Sequence, residues 1–216
     1  MATADRRARE KESLRQKILD AARNLFVAHG YDGVTLRKIA ESIEYAPGTI
    51  YSYFKDKEEL IRALCLADWE AFEQSFPRAE QPSNPLAAIR GLGAAYIRFA
   101  LAHPNQYRLM FMTPKPAELH ELDAETLAKR GDPTRDGYAL LRRTVQAAID
   151  ARLLRDDLND AELVAQTLWA GVHGMASLEI SLGHDPWLEW APVEQRIDLM
   201  LDALMRGLAR DGAIQP

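Results

Sequence analysis

Residues 47–57, Pro-Gly-Thr-Ile-Tyr-Ser-Tyr-Phe-Lys-Asp-Lys, gather four hydroxyls and two ammonium groups in one short stretch. Thr49, Tyr51, Ser52 and Tyr53 can each hydrogen-bond an anionic oxygen, and Lys55 and Lys57 can neutralise one. Gly48 has no side chain and would let a backbone approach a partner closely. Just upstream, Thr35 and Arg37 add a hydroxyl and a planar guanidinium. This mixture suits the phosphodiester backbone of a nucleic acid. The competing reading is that Tyr51 and Tyr53 are half-buried surface aromatics.

The chemistry requires these groups to share a surface, which depends on the element they occupy. Pro47-Gly48 followed by an aromatic, β-branched run has the composition of a hairpin. A hairpin needs a partner strand before Pro47, and the preceding residues, Leu36 to Ile43, are instead an amphipathic helix with Leu36, Ile39, Ala40 and Ile43 on one face. Proline is well placed in a first helical turn, where its missing N–H has no intrahelical partner. A short helix from Pro47 then packs Ile50 and Phe54 inward (i, i+4) and leaves the hydroxyls outside. Two short helices joined by a tight turn form a helix-turn-helix, whose second member enters the DNA major groove. Lys57 falls at the start of the next helix, where unpaired N–H groups also favour an anion.

The other elements are helical too. A first helix is expected from near Ser13 to a stop at Gly30, with Ile18, Ala21, Ala22, Leu25 and Phe26 as its stripe. A fourth is expected from Asp56, with Glu59 three residues on as a capping box, to about Phe76. Pro77–Pro85 reads as a linker. Helices follow over about 86–101, 104–112, 138–153, 160–182 and 193–209, with 113–135 a loop holding at most one helical turn. The fold class is all-α: a three-helix helix-turn-helix head over 1–62, with a basic arm, and a larger helical bundle over 63–216.

The chain has 216 residues and a net charge of −5. Residues 1–62 hold 12 basic and 10 acidic side chains, a local +2, and the remainder hold 15 and 22, a local −7. The first 17 residues carry six basic groups, among them Arg6, Arg7 and Arg9. They suit either an arm reaching a narrow minor groove or a solvated tail. There is no apolar run long enough to span a membrane and no apolar signal-peptide core. The single cysteine, Cys65, excludes an intramolecular disulfide, and a cytoplasmic setting is expected. The five histidines (29, 103, 120, 173 and 184) fall in no metal-ligand pattern. Neither a phosphate-binding glycine loop nor a nucleophile elbow is present. No catalytic residue, metal or cofactor is assigned, and the chain is not expected to be an enzyme.

Gly30 to Leu64, GYDGVTLRKIAESIEYAPGTIYSYFKDKEELIRAL, resembles the DNA-binding region of TetR-type transcriptional regulators. With the first helix the resemblance covers about 50 residues. His103–Phe111 and Leu168–Gly174 resemble a subgroup whose body carries Trp-x-x-x-His-Gly. The resemblance implies a homodimeric regulator, most simply a repressor, that binds a palindromic operator and is released by a small, mostly apolar effector. By family position, Thr35, Arg37, Pro47, Gly48, Thr49, Tyr51 and Lys57 would touch DNA, with direct readout of bases resting on Arg37, Tyr45 and Tyr53. Two heads would sit about 34–36 Å apart, one turn of duplex. The chain departs from the family where Glu44 replaces the usual turn glycine and Tyr45 a small β-branched residue. The alternative is an all-α ligand carrier or enzyme with a degenerate head.

In the body, Tyr96, Phe99, Tyr107, Met110 and Phe111, with Trp169 and His173, are either effector-pocket lining or plain core. Gly171 and Gly174 thin one helix. With Ile197, Leu201, Leu204 and Leu208 of the last helix they form the candidate dimer seam, an assignment that leans on the resemblance.

Overall fold

The structure is a computed structural model that describes residues 2–78, 84–114 and 124–213. Residues 79–83 of the expected linker, and 115–123 of the expected loop with His120, lie outside the described residues. Ten α-helices are described: α1 (Ala2–His29), α2 (Leu36–Ser42), α3 (Pro47–Tyr51), α4 (Lys57–Gln74), α5 (Pro85–Ala102), α6 (Pro104–Tyr107), α7 (Ala124–Lys129), α8 (Gly137–Asp150), α9 (Ala161–Leu182) and α10 (Val193–Leu208). A π-helical turn, Arg108–Met112, continues α6. Among the described residues the only β feature is an isolated antiparallel bridge between Leu154 and Ala209. None of their helices is long and apolar enough to cross a membrane.

The chain divides into two compact units. One comprises Met1–Ala71 with Pro104–Leu122, the other Phe72–His103 with Asp123–Pro216. The head expected over 1–62 lies within the first, which also takes in the rest of α4 to Ala71 and a later segment of chain.

In the first unit, Ile18, Leu19, Ala22 and Phe26 of α1 bury against Leu36, Ile39 and Ala40 of α2, Ile50 of α3, Phe54, and Leu60, Ile61 and Leu64 of α4. Leu109 from the π turn joins the same cluster. α1 begins eleven residues before the expected start near Ser13. No glycine or proline interrupts residues 5–17, which are mostly good helix formers, and Arg6 pairs with Glu10 one turn along. The other starts are set by caps. Thr35 accepts from Lys38 N–H, Asp160 from Glu162 and Leu163 N–H, and Asn84 from Ala87 N–H.

One polar cluster is buried inside the first unit. Asp68 of α4 is fully buried and Arg23 of α1 is 8% exposed. Arg23 Nη2 donates to Asp68 Oδ1 at 2.6 Å, Nε reaches the same carboxylate, and Nη1 donates to Asp20 at 2.6 Å. Burial alone would lower the Arg23 pKa; hydrogen bonds and charge from Asp68 and Asp20 outweigh it, and the pKa is raised. Gln106 of α6 donates to Asp68 at 3.0 Å, and Asn105 donates to Asn24 of α1 at 3.0 Å.

The second unit packs α5, α8, α9 and α10 around Leu86, Ile89, Val145, Ala148, Val164, Ala165, Leu168 and Met205. Close approach there depends on two glycines. A Cβ on Gly93 of α5 would lie 2.9 Å from Leu201 of α10, and one on Gly171 of α9 would lie 2.9 Å from Leu204.

Removing Asp68 leaves a buried guanidinium with only Asp20 as its carboxylate partner. Asp68→Ala is expected to destabilise the protein by about 3–5 kcal/mol, read as a lower denaturation midpoint in urea.

Candidate nucleic-acid interface

α3 is the five-residue helix Pro47–Tyr51, with proline in its first turn as the sequence implies. Ile50 is fully buried and Phe54 nearly so, which turns the rest of the stretch outward. Pro47, Gly48, Tyr51, Ser52 and Lys55 are exposed, and Thr49, Tyr53 and Lys57 are half-buried. Tyr51 is 57% exposed, accessible to a partner. Tyr53 does pack partly against the core. Thr35 and Arg37, at the start of α2, are exposed.

The turn between α2 and α3 is closed by Tyr45 N–H donating to Ala40 O at 2.9 Å and Glu44 N–H to Glu41 O at 3.2 Å. That is a Schellman-type stop, which places its C′ residue in the left-handed region. The residue is Glu44, at φ 63, where glycine would carry no Cβ penalty. Lys17 of α1 lies 5.2 Å over the ring of Tyr45.

Several cations of this surface already have partners. Arg37 Nε is 2.9 Å from Glu41, Lys38 Nζ donates to Gly33 O at 2.7 Å, and Ser52 spends its hydroxyl proton on Thr49 O. Lys57 Nζ donates to Tyr31 O at 3.1 Å. The start of α4 differs from the sequence expectation of an anion site. Asp56 Oδ1 takes the Glu59 N–H at 2.7 Å, and Glu58 and Glu59 add negative charge to the first turn. The helix start is thus capped by the chain itself, and attraction for an anion there rests on the Lys57 ammonium. The basic arm is helical from Ala2. A helix about 10–12 Å across does not enter a minor groove about 6 Å wide, so only its arginine side chains could reach in.

The expected pocket residues fall into two groups. Tyr107 (fully buried), Met110 and Phe111 belong to the first unit, where Phe111 meets Trp69 edge-on at 5.4 Å. Tyr96, Phe99, Trp169 and His173 belong to the second. There Trp169 Nε1 donates to Tyr96 Oη at 3.2 Å, and Tyr96 Oη lies 3.0 Å from His173 Nδ1. With Trp169 donating to Tyr96 Oη, the Tyr96 hydroxyl proton is free to go to Nδ1, an arrangement that suits a neutral imidazole protonated on Nε2. Burial lowers the His173 pKa, which favours that neutral ring. Phe72 stacks edge-on against both Tyr96 and Phe99, and Tyr138 leans on Trp169.

Of the expected dimer residues, Leu201 is buried within its own unit and Gly171 is covered by Leu204. Leu208 and Leu204 pack on the second core, and Ile197 is half-buried. Gly174 faces open space. Leu178 on α9 and Leu199 on α10 are exposed and were outside the sequence assignment.

A buried three-helix core that holds a short second helix outward, with hydroxyls and cations around it, is a helix-turn-helix module. The profile of bacterial regulatory proteins of the tetR family matches residues 18–64, and that of the tetracyclin repressor-like C-terminal domain matches residues 89–204, more than half of the chain. The chain belongs to the tetR family. It is 38% identical over 93 residues to the HTH-type transcriptional repressor AcnR of Corynebacterium diphtheriae, covering 43% of each chain. It is 26% identical over 155 residues to the regulator AcrR of Shigella flexneri, covering 69% of this chain and 70% of that one. The matches thus span less than half of the AcnR repressors. A tetR-family regulator of Marinobacter aquaeolei VT8 shares the fold at TM-score 0.68 and 17% identity, with 94% and 98% of the two chains covered.

Glu44→Gly removes a side chain from a left-handed position. The relief, roughly 1–2 kcal/mol, exceeds the added unfolded-state entropy of glycine, about 0.4–1 kcal/mol. A small net stabilisation is expected, read as a higher urea midpoint with unchanged slope.

Proposed function

We propose that this protein is a homodimeric transcriptional regulator, most simply a repressor, whose heads bind the two halves of a palindromic operator and whose body releases them on binding a small, mostly apolar effector. The observation that carries the reading is the outward face of α2, α3 and the start of α4, held on a fully buried core. Tyr51, Thr49, Lys55, Lys57 and the Thr35 hydroxyl would contact phosphate. Arg37, Tyr45 and Tyr53 would meet base edges, and Pro47 and Gly48 would form the leading edge of α3 in the groove. Arg37 can leave Glu41 for DNA at little cost, because exposed i, i+4 pairs are worth only about 0.3–0.5 kcal/mol.

The effector reading rests on the aromatic wall of the second unit. Tyr96, Phe99, Trp169 and His173 offer ring faces, with a neutral imidazole as the polar element. The dimer reading rests on exposed apolar positions of the last two helices, Leu178 on α9, one turn from the open Gly174, and Leu199 on the outer face of α10. An effector shifts operator occupancy only by its difference in affinity for the DNA-bound and released states, commonly about 1–3 kcal/mol.

The test is a titration of the full chain onto duplex DNA taken from upstream of its own coding region, with a thermal-shift screen of apolar small molecules in parallel. A compound that stabilises the protein should also release that DNA. Leu199→Glu should shift the sedimentation coefficient to that of a monomer and weaken operator binding. Failure of the protein to bind any upstream DNA at low salt would sink the regulatory reading, and a Leu199→Glu dimer would move the seam elsewhere.

A further inference from the structure

Lys57 opens α4, and a single residue of another element holds its ammonium from two sides. Nζ lies 3.9 Å from the centroid of the Tyr31 ring and donates to the Tyr31 carbonyl at 3.1 Å. Tyr31 is itself fixed. Its ring stacks on that of Phe26, with centroids 6.0 Å apart and planes 11° from parallel, and Phe26 is fully buried. Its backbone belongs to the tight turn between α1 and α2, where Gly30 sits at φ 69 and Val34 N–H closes onto the same Tyr31 carbonyl.

The chemistry of this partner matters. A carboxylate would hold Lys57 by cancelling its charge. A ring face and a carbonyl hold it by quadrupole and dipole, and the full positive charge remains. Among the described residues no carboxylate pairs with Lys57, whereas Arg37 on the same surface is paired with Glu41. A lysine on its flexible stem loses rotamer freedom when it binds an anion, and one already held loses less. An ammonium has three donors, and the carbonyl takes one.

We propose that Tyr31 is a positioning residue for DNA-backbone binding: its ring and carbonyl pre-order the Lys57 ammonium for a phosphate without neutralising it. The proposal rests on the reading above that Lys57 contacts the DNA backbone. Tyr31 touches no DNA in this scheme and acts through Lys57.

The test uses the full chain and a labelled mixed-sequence DNA duplex, titrated at several KCl concentrations, with thermal midpoints recorded for each variant. Lys57→Ala should weaken binding and reduce the salt slope by about 0.9 for each bound head. Tyr31→Leu, which removes the ring face, should weaken binding about two- to tenfold while leaving the slope near that of the parent, since the charge is still present. Tyr31→Phe keeps ring and carbonyl and should bind like the parent. In the Lys57→Ala background, Tyr31→Leu should have no further effect. If Tyr31→Leu binds like the parent while Lys57→Ala is weakened, the positioning role is overturned and the Lys57 contact stands. An equal loss from Tyr31→Leu with and without Lys57 would place the effect in the fold of the head, and also overturns it. Unchanged affinity and slope in Lys57→Ala would remove both the proposal and the phosphate role of Lys57.

Discussion

A helix of five residues cannot hold itself together in water, where isolated helices shorter than about 12–15 residues are marginal. α3 exists because Ile50 and Phe54 are buried in a core built by α1, α2 and α4. Each such burial contributes roughly 1.5–3 kcal/mol, against which the hydrogen bonds of a single helical turn are minor. The orientation of every exposed group from Pro47 to Lys57 follows from those two anchors. The same dependence explains why the turn before α3 accepts Glu44 in a left-handed conformation. Tyr45 N–H to Ala40 O and the inward pull of Ile43 and Ile50 fix the path of the chain, and the local strain is smaller than the burial it permits.

The electrostatics of the head follow from how its cations are partnered rather than from how many there are. A net charge of −5 for the chain says little about a surface where residues 1–62 carry a small positive excess. Lys57 rests on Tyr31, Lys17 on Tyr45 and Arg15 on Phe54, and Lys38 on a backbone carbonyl. Rings and carbonyls order these side chains without cancelling their charge, and among the described residues only Arg15 of the four also lies near a carboxylate, Glu12 at 3.9 Å. Arg37 and Lys55 have carboxylates nearby, in exposed pairs that exchange readily for another anion. The two ways of holding a cation suit two roles. On the proposed reading, a pre-ordered lysine would serve contacts common to all duplexes, and a pairable arginine contacts that depend on what the groove offers.

The local structure of the head was legible because its signals are local. Thr35 as a cap, Pro47 at a helix start and the Asp56–Glu59 pair are short-range patterns, and Ile50 with Phe54 is an i, i+4 stripe. What escaped was whatever needs a second element to define it. The stripe Ile197, Leu201, Leu204, Leu208 on α10 is a genuine apolar face, but amphipathicity does not say whether its cover is another copy or the same chain. Here Gly93 and Gly171 admit Leu201 and Leu204 within the same unit, and Leu199, on the opposite face of α10, is left outside at 72% exposure. The aromatic cluster of residues 96–111 divides for the same reason. Its helical spacing looks uniform, yet Tyr107 and Leu109 fall in the first unit, where Leu109 joins the core, and Tyr96 and Phe99 fall in the second, packed on Phe72. Arg23 and Asp68, 45 positions apart, carry no spacing signal at all.

That last pair bears on how a ligand-released regulator of this design would transmit its signal. Asp68 lies on α4 and Gln106 on α6, and both segments run on in sequence into the second unit. The two meet at the buried Asp68 carboxylate, to which Gln106 donates and which Arg23 of α1 holds, with Asn105 on Asn24 beside it. A buried charge with several partners is a poor place for gradual deformation, since losing any one partner leaves a desolvated group behind. α4 and α6 are therefore tied to the head in an all-or-none way. The π turn that follows α6, Arg108–Met112, is the adjacent stretch of poorer helical hydrogen bonding, a feature frequent at functional sites. On the ligand-released reading, displacement of either segment reaches α1 through this cluster. α1, carrying Lys17 against Tyr45 and Arg15 against Phe54, bears on the turn of the helix-turn-helix and on the residues just after α3.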